Sequence, residues 1–310
     1  MTESSFIPHI YAPVALFVYR RPEHVRNTIN ALKNNIGAVN TDLIIFSDGP
    51  PAEPETEIES DVARVRAELE EISGFKSVRI VLRGCNMGLA GNIISGVSEI
   101  LSESDRIIVL EDDLDTSPYF LTFMNEALAK FKDNTNIGHI HGYMYPIPDM
   151  PDAVITRWVG SWGWATWQRA WKLFEPDGKR SLEKIEASQA EKTFDMEARF
   201  TRMLRRQVEG QNNSWAIRWY ASLFLNNMYT VNAGRSLVRN MGNDDSGTHS
   251  KIDTCYDVEL ATFPLSLNCL PCLPCQPGEN IKILSYHKSV YGLIGRIKRR
   301  LYRLIKSGRL

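Results

Sequence analysis

The sequence predicts an α/β fold: one Rossmann-like domain built on a mostly parallel central sheet, followed by a C-terminal amphipathic helix. Three observations predict it. From Ala12 to Asp113, short apolar runs alternate with longer stretches of helical periodicity, the pattern of parallel strands joined by crossover helices. Each apolar run ends in polar residues. Hydrophobic residues make up 43% of the 310 and charged residues 24%, so the chain has the balance of a globular protein with a sizeable core.

The expected strands are Val14 to Tyr19, Leu43 to Ser47, Val78 to Leu82 and Ile107 to Leu110. Helices are expected from near Pro22, Glu55 and Gly88, the first opened by a proline at an early helical position. Beyond Pro118 a helix of about a dozen residues runs through Phe131, and Ile137 to Tyr145 returns as a strand. Trp164, Trp167 and Trp171 are expected on one buried face of a helix, which leaves Trp162 as the better candidate for a ligand contact. Lys179 to Val208 is charged and helically spaced.

Right-handed crossovers place the ends of the first four strands along one edge. Those ends carry Arg20 and Arg21, then Ser47-Asp48-Gly49, then Arg83-Gly84-Cys85-Asn86, and then Glu111-Asp112-Asp113. Open parallel sheets bind ligands outside the carboxyl ends of their strands, so this convergence marks a candidate site.

Glu111, Asp112, Asp113 and Asp115 put four carboxylates within five positions. Crowded carboxylates repel unless something positive sits among them. Oxygen-rich sites of this kind suit Mn²⁺ or Mg²⁺, which bridge to nucleotide phosphates and stabilise charge on a departing diphosphate. Helix capping by Asp115, Thr116 and Ser117 accounts for one or two acids, not for a cluster at a strand end.

Val109-Leu-Glu-Asp-Asp-Leu-Asp-Thr-Ser-Pro-Tyr-Phe120 resembles the Glu-Asp-Asp segment of the N-acetylglucosaminyltransferase I family and its bacterial relatives, inverting glycosyltransferases of the GT-A fold. The resemblance implies that Asp113 ligates the metal, with Asp112 and Glu111 near the ribose and donor sugar. Phe17-Val-Tyr-Arg-Arg-Pro22 is similar to the family's first strand, whose nucleotide-contacting Arg falls on Arg20, with Arg21 beside it; Phe46-Ser-Asp-Gly49 is similar to the second, whose uracil-holding Asp falls on Asp48. Asn86-Met-Gly-Leu-Ala-Gly-Asn92, containing Gly88 and preceded by Arg83, is similar to the stretch that closes over the nucleotide. Gly160-Ser-Trp-Gly-Trp164 resembles the segment after the catalytic strand. The likeness runs from about Ala12 to about His249 and is weak between Lys179 and Gln211.

An inverting transfer needs a base to take the acceptor hydroxyl's proton. In the family it is an Asp beside a Trp, and Ser214-Trp-Ala-Ile-Arg-Trp219 matches that segment with Ala216 at the Asp position. Three readings follow: an inactivated variant, natural inactivity, or service by Glu209, Asp244 or Asp245. The intact Trp215 and Trp219 frame favours the first. Leu237 to His249 resembles the family's closing loop, in which His249 contacts the diphosphate or metal.

The formal charge of −1 hides an asymmetry. Setting aside the eight basic residues from Lys288 onward leaves 28 basic against 37 acidic, so the body carries −9. An acidic body argues against nucleic acid as partner. Val290, Leu293, Ile294, Ile297, Leu301, Leu304 and Ile305 keep helical spacing with basic residues between them, the pattern of a helix lying on an anionic membrane or docked on the acidic body. No charged start followed by a long apolar run is read at the beginning, so the expected setting is the cytoplasm, peripheral to the inner face of the membrane. The five cysteines are expected as reduced thiols, since Cys269, Cys272 and Cys275 with Cys255 fit a four-ligand zinc site poorly.

The expected division is a glycosyltransferase domain over 1–262, with a nucleotide half 12–115 and an acceptor half 116–262, then a connector 263–289 and a basic helix 290–310. The expected activity is transfer from a nucleotide-sugar, UDP-linked by resemblance, to a glycan or lipid-linked acceptor in bacterial surface polysaccharide synthesis. The competing readings are a sugar-nucleotidyltransferase, which wants a Gly-rich phosphate loop where Arg20-Arg-Pro-Glu23 stands, and a non-catalytic membrane-associated binding protein for nucleotide-sugars.

Overall fold

A computed structural model describes residues 11–53, 56–242, 254–268, 270 and 277–297, with the backbone alone for 277–280. Four strands, β1 (Val14–Val18), β2 (Asp42–Ser47), β3 (Ser77–Leu82) and β4 (Arg106–Glu111), alternate with α1 (Pro22–Lys33), α2 (Thr56–Glu68) and α3 (Gly88–Glu103). The chain continues through β5 (Leu114–Thr116), α4 (Phe120–Lys130), β6 (Ile137–His141), β7 (Ala153–Thr156), β8 (Trp164–Trp167) and α5 (Gln168–Trp171). It closes with α6 (Gly178–Ala187), α7 (Glu191–Asp195), α8 (Phe200–Val208), α9 (Trp215–Leu225), β9 (Tyr229–Ala233), β10 (Val238–Asn240) and α10 (Pro277–Tyr291).

The main sheet has eight strands in the order β3-β2-β1-β4-β8-β6-β9-β7. Four of its seven pairings are parallel, the three others involving β8 or β7. The expected α/β fold on a mostly parallel sheet is therefore what forms.

Period-two alternation sorts the central strands onto two cores. Leu16, Val18, Leu43, Ile45, Ile108 and Leu110 pack on one side of the sheet with Val25 and Leu32 of α1. Ala15, Phe17, Ile44, Phe46, Ile107 and Val109 pack on the other with Ile93 and Val97 of α3. Helices on both faces explain why these strands read as unbroken apolar runs. On the α3 side, Phe17 stacks on Phe46 with ring centroids 5.1 Å apart. Gly96 lets the helix backbone come down onto that pair, since a Cβ there would lie 2.7 Å from Phe17 Cε1.

Two expectations change. Trp164 to Trp167 form a strand, not a helix face: β8 pairs antiparallel with β4 and with β6, and an odd separation puts Trp164 and Trp167 into opposite cores. Trp171 is buried from the short helix α5. The second change is at the C-terminal end, where α10 begins at Pro277 and occupies half of the segment expected as a connector. Ile283, His287 and Val290, spaced four and three residues apart, bury one stripe of α10 against the body. His287 Nδ1 bonds the Met196 carbonyl at 2.8 Å, and Tyr286 stacks on Tyr145 with centroids 4.7 Å apart.

The close approach at Gly96 predicts that Gly96→Val costs about 1–3 kcal/mol through overpacking. Gly91→Ala in the same helix, where the nearest atom to a new Cβ is Met87 Cβ at 3.4 Å, should be neutral or slightly stabilising. Urea midpoints of the two variants check this; equal midpoints would refute the packing account.

Candidate active site

The chain order β1-β2-β3 runs one way across the sheet and β4 lies on the other side of β1, so the crevice between the carboxyl ends of β1 and β4 is the topological switch point. Arg21 leaves β1 there, and Glu111, Asp112 and Asp113 leave β4. One guanidinium nitrogen, Nη2 of Arg21, donates both to Asp112 Oδ1 and to Asp113 Oδ2, the latter at 3.0 Å. Thr28 Oγ1 donates to the Asp112 carbonyl at 2.7 Å, so α1 also fixes this turn. Met241 N donates to the Asp113 carbonyl at 2.7 Å. A Cβ on the next residue, Gly242, would lie 2.3 Å from Asp113 Oδ2 and 2.9 Å from Arg21 Nη1, so a side chain there would push on the ends of both.

The electrostatics follow from burial. Burial, with repulsion from Asp113 and Asp112, pushes the Glu111 carboxyl up to about 8. Asp112 is raised by burial to about 6 against the pull of Arg21. Burial disfavours the charged Arg21, yet its two carboxylate partners outweigh that and raise it. Asp115 is not part of this group. It sits in β5, paired with β10, and bonds Arg239 Nη2 at 2.6 Å. Asp115 does not cap α4 either: Tyr119 is the N-cap, with no side-chain cap bond.

Arg20 is half-buried at the end of β1. Asp48, buried at the end of β2, accepts at Oδ1 from Gly49 N at 2.9 Å and Met87 N at 2.8 Å, and so ties two loops together. Asn86 joins in, donating from Nδ2 to the Gly49 carbonyl at 3.2 Å and accepting at Oδ1 from Gly88 N at 2.9 Å. Arg83 lies over the Phe46 ring at 5.0 Å from its centroid and bonds Asn92 Oδ1 at 3.4 Å. These residues form the rim of the crevice, and the bonds described for Asn92 and Arg83 are to neighbouring protein atoms. Arg66, which the sequence reading did not single out, braces the same rim by donating to the Arg83 carbonyl at 2.7 Å.

At the same edge of the sheet, where β6 ends, lies an aromatic cavity of about 290 Å³, lined by Tyr143, Tyr145, Trp158, Trp162, Tyr220 and Tyr256 among others. Ala216 and His141 also line it, and among the described residues no carboxylate does. Trp162 meets Tyr143 edge to face at 4.8 Å and Tyr256 at 5.6 Å. Tyr291 of α10 contributes to the wall, bonded hydroxyl to hydroxyl with Tyr256 at 2.6 Å. His141 Nδ1 bonds Asn232 Oδ1 at 3.3 Å, while its Nε2 is buried without a partner, and burial pushes the ring down to about 3. Ser214 caps α9 by accepting from Ile217 N, which seats Trp215 and Trp219 in the core and leaves Ala216 half-buried at the cavity. Apart from Trp162 and Ala216, the sequence signalled little of this cavity.

Glu209 is exposed, bonded by Gln211 Nε2 at 2.8 Å, and is not among the lining residues. Asp244, Asp245 and His249 lie outside the described residues, as do Cys269, Cys272, Cys275 and 298–310. Cys85 is an exposed free thiol. Among the described residues, no group of three or more His, Cys, Asp or Glu side chains is arranged to hold a metal by itself. A hard divalent ion fits Asp113 and Asp112 only in a site completed by phosphate oxygens and water, the usual Mg²⁺ arrangement.

No protein-family model matches the chain, and no curated protein matches it. Among solved structures it is similar to a cytidylyltransferase from Leptospira borgpetersenii serovar Hardjo-bovis, at 12% sequence identity and a TM-score of 0.30, over 53% of this chain. The chain spans 64% of the length of that structure. A likeness of that depth assigns no activity.

The Glu111 environment predicts a pH dependence. A carboxyl whose folded pKa lies above its ordinary value of 4.5 binds its proton more tightly when folded, so its contribution to stability falls as pH rises from there to about 8. Glu111→Gln should therefore unfold at a temperature higher by at least about 4 °C than the native chain at pH 9, with the gap closing near pH 4.5. An equal gap at both pH values, measured by calorimetry, would rule this out.

Proposed function

We propose that the chain is a metal-dependent glycosyltransferase of inverting type, moving a sugar from a nucleotide-sugar, UDP-linked by the resemblance, to a glycan or lipid-linked acceptor in bacterial surface polysaccharide synthesis. The observation that carries this reading is the placement of Arg21, Asp112 and Asp113 at the β1/β4 switch point, on the same edge of the sheet as an aromatic cavity lined by Ala216. Arg20, Asp48, Arg83, Asn86, Gly88 and Asn92 form the rim that takes the nucleotide. Mn²⁺ or Mg²⁺, held by Asp113 with Asp112 and Glu111 nearby, supplies charge stabilisation for the departing diphosphate. Aromatic rings stack on the apolar faces of sugars, which makes the cavity with Trp162 the acceptor side.

Ala216 supports a second reading, in which the chain binds a nucleotide-sugar without turning it over. A methyl group accepts no proton, and among the described residues the cavity has no carboxylate to substitute. Asp244 and Asp245 as candidate bases, and His249 as a contact to the diphosphate or metal, rest on the resemblance alone and stay proposals. Isothermal calorimetry with UDP and Mn²⁺ tests both readings at once, since each requires heat of binding. Ala216→Asp should then raise sugar transfer by roughly two orders of magnitude, the usual worth of a general base. Heat without any gain in turnover would leave the binding protein; no heat with UDP or any other nucleoside diphosphate would sink both.

The segment 290–310 is proposed to lie on an anionic membrane surface. Leu293, Ile294 and Ile297 are exposed at 67%, 70% and 52%, against a buried Val290, so the apolar stripe leaves the body just where α10 ends. No helix among the described residues is long and apolar enough to cross a membrane. Removing 293–310, which spares α10, should abolish co-sedimentation with vesicles of phosphatidylglycerol; undiminished pelleting would contradict the assignment.

A further inference from the structure

A buried polar atom at the wall of the aromatic cavity has no partner among the described residues. His141 is the last residue of β6, 1% exposed, and lines the cavity. Asn232 turns its Nδ2 to Thr156 Oγ1 at 2.9 Å and to the Thr230 carbonyl at 3.3 Å, so its Oδ1 accepts from the N–H at His141 Nδ1, 3.3 Å away. Burial pushes the imidazole down to about 3, which leaves it neutral at neutral pH with its one proton on Nδ1. Nε2 therefore presents a lone pair, and no described residue donates to it. Trp158 stands at 83° to the ring with centroids 4.9 Å apart. Gly160, also in the cavity wall, leaves the ring its room, since a Cβ there would collide with Cε1 and Nε2 of His141.

We propose that this cavity takes one uncharged sugar ring, and that His141 Nε2 accepts a hydrogen bond from one of the ring's hydroxyls and so selects its orientation. The ring's role as acceptor rests on the functional reading above; its binding does not. A buried acceptor left unmet is costly, so the partner of Nε2 is an O–H that arrives with the ligand. Aromatic walls call for apolar faces on the same molecule. A sugar has both, C–H faces and hydroxyl edges. A purely apolar molecule would leave Nε2 unmet, and a charged one would find no Lys, Arg, Asp or Glu among the described lining residues. The volume of about 290 Å³ lies at the lower end for small-molecule sites, enough for a single ring. His141 does not take over from the base absent at Ala216. An imidazole with so low a proton affinity accepts a hydrogen bond at neutral pH without removing the proton, so it orients the hydroxyl and does not activate it.

Two substitutions separate this role from a structural one. His141→Asn keeps an amide N–H where Nδ1 stood, and with it the Asn232 bond, but has nothing at Nε2; His141→Gln puts an amide oxygen near Nε2 and gives up the Asn232 bond. Tryptophan fluorescence of the full chain is titrated with the methyl glycosides of glucose, galactose, mannose and N-acetylglucosamine, with and without UDP and Mn²⁺. The native protein should bind at least one of them, and glucuronate and galacturonate at least about tenfold more weakly than the best. His141→Asn should lose at least about tenfold in affinity, and His141→Gln should keep most of it although its melting temperature falls further. Gly160→Ala, whose Cβ would crowd Nε2, should lose affinity likewise and serves if neither His141 variant folds. No binding of any glycoside in either condition, equal binding of the uronates, or affinity that simply follows melting temperature across the variants overturns the proposal, even where UDP with Mn²⁺ gives heat. Glycoside binding in the expected order with no heat from any nucleoside diphosphate keeps the sugar site and discards the transferase.

Discussion

Crowding three consecutive acids at the end of a buried central strand is the constraint around which this molecule is arranged. Glu111 is the last residue of β4 and Asp112 and Asp113 follow it directly, after four residues buried on both faces. A strand so placed keeps Asp112 out of bulk water and leaves Glu111 and Asp113 only partly in it. They need a cation, and the strand order supplies one by setting β1 beside β4, so that Arg21 emerges where the acids do. The same pairing positions α1, whose Thr28 holds the acid turn from behind.

The rest of the sheet extends the crevice in two directions. Toward β3, the ends of β2 and β3 are knotted by Asp48, Asn86 and Arg66 into a firm rim, and the polar groups there are largely engaged with backbone. Toward β8 and β6, the antiparallel strand β8 buries Trp164 and Trp167 on opposite faces and turns the preceding loop, with Trp158 and Trp162, toward the aromatic cavity. A polar rim on one side and an aromatic wall on the other suit the charged nucleotide and the uncharged sugar of the proposed function.

The half from β1 to β4 was legible because its physics is local. Strands covered on both faces must be apolar throughout, and β1 and β4 announce themselves that way; Pro22 marks the start of α1 because a proline there gives up nothing. The acid cluster was legible because four carboxylates in five positions have few innocent explanations, although Asp115 proved to belong to a separate ladder with Arg239. Trp164, Trp167 and Trp171 misled because spacings of three and four suit a helix face, whereas a strand wedged between β4 and β6 is wanted there and only tertiary pairing says so. The cavity was illegible for a similar reason: Tyr143, Trp158, Tyr220, Tyr256 and Tyr291 come from five separate stretches, and no local pattern joins them. The early start of α10 was hidden by the Pro- and Cys-bearing run before it, which reads as a break in regular structure.

Tyr291 stands both at the end of α10 and in the wall of the aromatic cavity, latched to Tyr256. Shortening the chain from its C-terminal side therefore has two regimes. A cut after residue 292 trims only the greasy, basic extension, whereas one before 277 strips away the helix and unroofs the chamber, exposing Tyr145 and Tyr256 to water.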